Sequence, residues 1–250
     1  MTASLWQMPA EKSSLTPETV HIWRGSLKIT PAKLAVYAPL LSLPEQARAK
    51  QFRFERDRHR FMLSRGTLRQ ILGNYLECPP AELVFEYGEF GKPYLVNSPL
   101  PQMQFNLSHS GDIALYGLSC DRQIGVDIEV MRPLPRLAQL AQRCLTPSEQ
   151  AYLYSKAAQQ QAEIFLSYWT CKEALLKATG QGLTQAMHQL EIALSPSPSL
   201  VPPAAGSATF WRLRQLQLES NYIAAIAVEG TGWQLSCWRH AEAVEFESVG

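Results

Sequence analysis

Apolar residues along this chain switch between two periods. "HIWRGSLKI", from His21, alternates as a strand does. "SLPEQARAKQFRF" and "RDRHRFMLSRGTLRQILGNYL" follow the helical period through Phe61, Leu68 and Leu72, with Ser42 and Glu45 at the spacing of a capping box. The glycines and proline of "YGEFGKPYL" predict a turn into a short strand. "MQFNLSHSGDIALYGLS" and "QIGVDIEV" then read as strands of one antiparallel sheet. After the Pro-rich connector "MRPLPR" the order begins again. Thr146 and Glu149 form a second capping-box pattern with Pro147 at the first helical position, and "AEIFLSYWTCKEALLKATG" is a second long amphipathic helix.

Glu45-Gln46-Ala47 sets on Glu149-Gln150-Ala151, and the same offset sets Phe61 on Phe165. Each half also carries a late strand of small residues, "GDIALYGLS" and "NYIAAIAVEG". The expected fold class is therefore α+β: two similar halves packed as a pseudo-dimer, each with a small antiparallel sheet and a long helix. The expected division is an irregular lead-in over 1–20, a first half over 21–135 and a second over 136–250. The Ser/Pro/Ala-rich stretch at about 195–208 reads as a loop within the second half.

With 46% hydrophobic and 18% charged residues, the composition is that of a soluble globular protein. A net charge of +1 gives no global attraction to nucleic acid, so an acidic partner must meet a local basic patch. Cys78, Cys120, Cys144, Cys171 and Cys237 are odd in number and never form a CxxC pair, which argues against a disulfide framework and a zinc site. Reduced thiols point to the cytoplasm. The first residues lack the basic and apolar regions of a signal peptide, and no later run is long enough to span a membrane.

Alternation puts Val126, Ile128 and Val130 of "GVDIEV" on one face of a strand and Asp127 and Glu129 on the other. Such a pair fits either an edge strand wetted on one side or two acids neutralised by a cation. In "WTCKEALLKATG" helical spacing brings Trp169, Glu173, Leu176 and Lys177 to one face. Glu173 and Lys177 alone read as a surface ion pair, but Trp169 beside them points to the rim of a cleft. Ser108, His109, Ser110 and Gly111 make a donor-rich turn suited to phosphate oxygens, and "GKP" holds Lys92 on a constrained turn. Arg48, Lys50, Arg53, Arg56, Arg58 and Arg60 form a basic run, either a solvated face or a seat for a polyanion.

Taken in order, "YGEFGKP", "FNLSHSGD", "GVDIE" and "WTCKEALLKATGQGL" resemble the 4′-phosphopantetheinyl transferases of the Sfp type, whose GxDxE and WxxKEAxxK patterns are both intact. The resemblance spans roughly residues 42 to 183. It implies a monomeric enzyme with one site between two α+β halves. The enzyme would transfer the phosphopantetheine arm of coenzyme A to a serine of an acyl or peptidyl carrier protein, releasing adenosine 3′,5′-bisphosphate. By that likeness Asp127, Glu129 and Glu173 hold Mg²⁺, and Lys177 supplies a fixed cation for the reaction. Glu173 takes the serine proton, directly or through a metal-bound water. Lys92, Ser108 and His109 contact the 3′-phosphate and neighbouring parts of coenzyme A; Arg48 and Arg60 match family contacts by spacing. Trp169 fixes the helix. Two rival readings remain: a non-catalytic coenzyme A or carrier-protein module, and a Mg²⁺-dependent phosphodiesterase. The first is disfavoured by the intact acids and lysine; released phosphopantetheine without any carrier would mark the second.

Overall fold

The computed structural model describes residues 6–8, 14–96, 98, 100, 102–180, 187–201, 210–219 and 221–241. Strand β1 (Thr19–Ser26) opens the fold, followed by helices α1 (Pro31–Tyr37), α2 (Leu43–Lys50) and α3 (Glu55–Leu76). A small hairpin, β2 (Phe85–Tyr87) and β3 (Pro93–Leu95), leads to β4 (Met103–Ser110), β5 (Ile113–Cys120) and β6 (Ile124–Val130). Helices α4 (Leu137–Cys144), α5 (Pro147–Tyr154) and α6 (Ala158–Thr179) come next. The short pair β7 (Ile192–Ala193) and β8 (Ser199–Leu200) precedes β9 (Trp211–Leu216), β10 (Tyr222–Glu229) and β11 (Gln234–Arg239). Much of the expected Ser/Pro/Ala-rich loop and of the lead-in lies outside the described residues. No described helix is long and apolar enough to cross a membrane.

The chain is α+β, with two similar halves. In both, a capping box starts a short helix: Glu45 Oε2 accepts from the Ser42 N–H at 3.0 Å, and Glu149 Oε2 from the Thr146 N–H at 2.8 Å. The same two carboxylates reach a buried cation on the long helix that follows. Arg69 Nε donates to Glu45 Oε2 at 2.8 Å, and Lys172 Nζ to Glu149 Oε2 at 2.5 Å. Gln46 and Gln150 repeat a further bond, to the Leu41 and Leu145 carbonyls at 2.9 and 3.0 Å. The weak sequence repeat is thus a repeat of buried polar contacts.

Among the described residues the two larger sheets are ordered β11-β1-β5-β4 and β6-β10-β9, beside the two-stranded pairs β2-β3 and β7-β8. Alternation along the strands gives four layers. Ala114, Tyr116 and Leu118 face Leu63, Leu68 and Leu72 of α3, while Ile113 and Leu115 face the other way, onto Val126, Ile128 and Ile226. Ala225 and Ala227 turn to α6, against Phe165, Ala174 and Ala178.

One expectation is corrected. β6 does not join the sheet of β4 and β5; it pairs antiparallel with β10, from Val130 opposite Tyr222 to Ile124 opposite Val228. In return β11 lies parallel to β1, from Gln234 opposite Thr19 to Arg239 opposite Arg24. An expected boundary at residue 135 falls after β6, a strand whose ladder lies with β10. Side chains decide this: Val126 and Ile128 bury against the first sheet's face, where they cannot also extend its edge.

Candidate active site

The site forms where edge strands of the two sheets, β4 and β6, run alongside without a ladder between them. Side chains of β4 meet the open edge of β6 instead: the Val126 N–H donates to Asn106 Oδ1 at 3.0 Å and the Val130 N–H to Ser110 Oγ at 3.1 Å. The same strand steadies the acids, with Ser108 Oγ donating to Asp127 Oδ1 at 2.9 Å and Ser110 Oγ to Glu129 Oε2 at 3.1 Å.

Helix α6 closes the other side, and Gly125 sets its distance. A Cβ at Gly125 would lie 1.9 Å from the Ala174 carbonyl oxygen and 2.5 Å from the Ala178 nitrogen. Only glycine lets the helix backbone rest on β6 there. That contact brings Lys177 Nζ to 2.6 Å from Asp127 Oδ1, 3.0 Å from Ser108 Oγ and 3.3 Å from the Val126 carbonyl. Trp169 stands in the cleft wall and packs its ring 6.1 Å from that of Phe165.

A cleft of about 540 Å³ gathers Asp127, Glu129, Glu173 and Lys177 with Ser108, His109, Lys92 and Arg48. Lys92 follows Gly91, whose φ of 79° makes the turn, and donates to the Ala178 and Ile124 carbonyls at 3.1 and 3.3 Å. Arg60 is the exception: it is absent from the cleft lining and donates from Nη2 to Asp112 Oδ1 at 2.5 Å.

Burial, then the neighbouring Asp127 charge, pushes the Glu173 carboxyl up to about 7. Glu129 is raised by the same two causes in the same order. Burial lowers Lys92 to about 8. His109 is lowered by burial first and then by the cations Lys177, Arg60 and Arg65. Two carboxylate oxygens, Asp127 Oδ2 and Glu173 Oε1, are buried with no hydrogen-bond partner among the described residues. Buried anionic oxygens without donors are costly, and a cation is the simplest group to satisfy both. No ready-made cage of three or more His, Cys, Asp or Glu exists among the described residues.

The structure adds cleft residues that the sequence pattern did not single out. Ser64 and Arg65 of α3 line it, both buried, and Asn106 joins β4 to β6. Arg65 lies in a stretch of α3, Leu63 to Arg69, that is buried all round the helix, and its spacing gave no signal that singled it out. Conversely, Lys172 of the "WTCKEALLK" motif faces away from the cleft into the core.

Comparison with known proteins bears on this arrangement. Residues 123–227 match the family profile "4'-phosphopantetheinyl transferase superfamily", and residues 26–119 match "4'-phosphopantetheinyl transferase, N-terminal". The chain is 40% identical to the 4'-phosphopantetheinyl transferase HetI of Nostoc over 96% of this chain and 100% of that one. It is 34% identical to the transferase psf-1 of Bacillus pumilus, over 63% of this chain and 65% of that one. Among solved structures it resembles a holo-(acyl-carrier-protein) synthase from Bacillus anthracis in complex with CoA (3',5'-ADP), at 21% identity and a TM-score of 0.38, over 44% of this chain and 96% of that one.

Proposed function

The chain belongs to the 4′-phosphopantetheinyl transferase superfamily, and from that membership we propose how its cleft moves the phosphopantetheine arm of coenzyme A onto a carrier-protein serine. The observation that carries the reading is the meeting of Asp127, Glu129, Glu173 and Lys177 in one cleft with two buried, unpartnered carboxylate oxygens.

Those oxygens, with Glu129, suit a Mg²⁺ ion, which commonly takes one or two carboxylates and completes its shell with water and phosphate oxygens. When bound, Mg²⁺ supplies positive charge against the pyrophosphate of coenzyme A.

The chain's own groups do the rest. Lys177, held by Ser108 and the Val126 carbonyl, presents a fixed ammonium where negative charge develops on the departing phosphate. Burial and then Asp127 raise Glu173 to about 7, so its carboxylate can accept the proton of an incoming serine hydroxyl. Ser108, His109, Lys92 and Arg48 bind the nucleotide end. The products are holo-carrier protein and adenosine 3′,5′-bisphosphate. One chain holds the whole constellation, so a monomer suffices, and we assign it to the cytoplasm on its free thiols.

Incubating the protein with coenzyme A, Mg²⁺ and a panel of apo acyl and peptidyl carrier proteins, followed by intact-mass measurement, tests the reading. One phosphopantetheine arm should appear on at least one carrier, and EDTA should prevent it. Phosphopantetheine released without any carrier would identify a phosphodiesterase instead.

A further inference from the structure

Of the cations that the family likeness singles out, Arg48, Lys92 and Lys177 line the cleft and Arg60 does not. From α3 its Nη2 instead donates to Asp112 Oδ1 at 2.5 Å, in the turn between β4 and β5. That turn is tight. Gly111 makes it at a φ of 56°, and a Cβ there would come within 2.8 Å of the Tyr222 hydroxyl. Asp112 is tied to three further elements. Its carboxylate accepts from Arg60 of α3, its carbonyl accepts from the Leu27 N–H just past β1 at 2.7 Å, and its own N–H donates to the Tyr222 hydroxyl of β10 at 3.4 Å.

These ties matter because β4 is an edge strand. It forms a ladder with β5 alone and meets β6 through side chains, so no backbone ladder fixes its end against the strand that carries the acids. Ser110, the last residue of β4 and two before Asp112, holds the Glu129 carboxylate and the Val130 N–H, and Val130 lies opposite Tyr222. Ser108 holds Asp127 and Lys177 in the same way. Any shift of the turn therefore moves both serines against the acids. The pair itself has side-chain exposures of 22% and 47%, and an ion pair so open to water adds little to global stability. Its effect falls on the place of the turn.

We propose that Arg60 is a positioning residue for the transfer: through Asp112 it fixes the end of β4 and so aligns Ser108 and Ser110 with Asp127, Glu129 and Lys177, without touching coenzyme A. The inference rests on the transferase reading and deepens it, giving Arg60 a role in place of the nucleotide contact that the family likeness implied.

The experiment is a double-mutant cycle on the full chain: wild type, Arg60→Met, Asp112→Asn and the two together. Each is read for kcat and KM of carrier modification, for coenzyme A affinity by calorimetry, and for thermal unfolding. Each single change should lower kcat by about tenfold, since small misplacements of reacting groups carry large rate penalties. Coenzyme A affinity and KM should stay within about twofold, because Lys92 and Arg48 hold the ligand from other elements. The double variant should be no slower than either single one, because both changes remove the same contact. Arg60→Lys keeps a cation within reach of Asp112 and should recover most of the lost kcat. Asp112→Asn alters a half-exposed turn residue and serves alone if Arg60→Met does not fold. Weaker coenzyme A binding in Arg60→Met but not in Asp112→Asn would make Arg60 a direct ligand contact and overturn the positioning role. Additive losses of kcat, an unchanged kcat, or a loss matched by the loss of folded protein would overturn it too, and each leaves the transferase reading standing. A wild-type protein that neither binds coenzyme A nor modifies any carrier overturns the transferase reading itself.

Discussion

Lys172 Nζ and Glu149 Oε2 meet at 2.5 Å in the core, with side-chain exposures of 0% and 1%. Lys177, further along the same helix, meets Asp127 at 2.6 Å in the cleft, where its side chain is 30% exposed. One motif therefore carries a lysine buried in the core and a lysine that lines the cleft.

Replacing each separates the roles. Lys172→Ala leaves Glu149 as an unpaired buried acid and strands the Cys144 and Met187 carbonyls, so denaturant unfolding should show a loss of about 3–5 kcal/mol. Lys177→Ala and Asp127→Ala should unfold cooperatively, yet lower carrier modification by about 100-fold or more. If Asp127→Ala does not fold, that acid is structural and the site assignment fails.

Gly125→Ala is expected to push α6 off β6, because the added methyl meets backbone atoms of Ala174 and Ala178 that no side-chain rotation can clear. Overpacking of this kind costs about 1–3 kcal/mol or more. Separating Lys177 from Asp127 should lower transfer beyond what lost stability explains. Unchanged thermal unfolding and activity would mean that the helix does not rest where the structure has it.

Arg48, which lines the cleft, is exposed, as are Lys50 and Arg53 close to it in the chain. Surface charges steer an acidic carrier over distances that salt screens within about 8 Å at physiological ionic strength. Raising salt should therefore slow carrier modification more than it weakens coenzyme A binding. Parallel salt slopes for the two would remove the steering patch.

His21 ties stability to pH. Tyr75 accepts from Trp23 Nε1 at 3.0 Å, so its hydroxyl proton is free to be donated to His21 Nδ1, 2.7 Å away. Burial lowers His21 to about 4. Between the ordinary value of 6.5 and that value the unfolded chain binds the proton and the folded one does not, so stability falls as pH drops through this window. The contribution is present in full above pH 6.5, and the loss reaches on the order of 3 kcal/mol near pH 4. Wild type and His21→Gln, unfolded in denaturant at pH 7 and pH 5, should differ in their acid sensitivity, wild type losing more. Identical losses would place the acid sensitivity elsewhere.

Local pattern was enough for much of this molecule. The two capping boxes, the long helices and the opposite faces of Val126 and Asp127 follow from side-chain chemistry and backbone period over a few residues, so they are written in the sequence. The motifs named the acids and Lys177 as well, because residues two apart on a strand and four apart on a helix share a face wherever the element packs. Pairing across the chain was another matter. The local patterns of β6 and β11 suit several neighbours, and their places in the two sheets follow from which faces are buried together, Val126 and Ile128 packing on the first sheet. That packing turned Lys172 into the core and Lys177 to the cleft, sent Arg60 to Asp112, and set Arg65 near two rings with its Nη1 unmet among the described residues. The sequence by itself determined the elements and pointed to the acids and Lys177; tertiary packing decided that Arg65 lines their cleft and Arg60 does not, because burial and charge pairing act between residues that the chain keeps far apart.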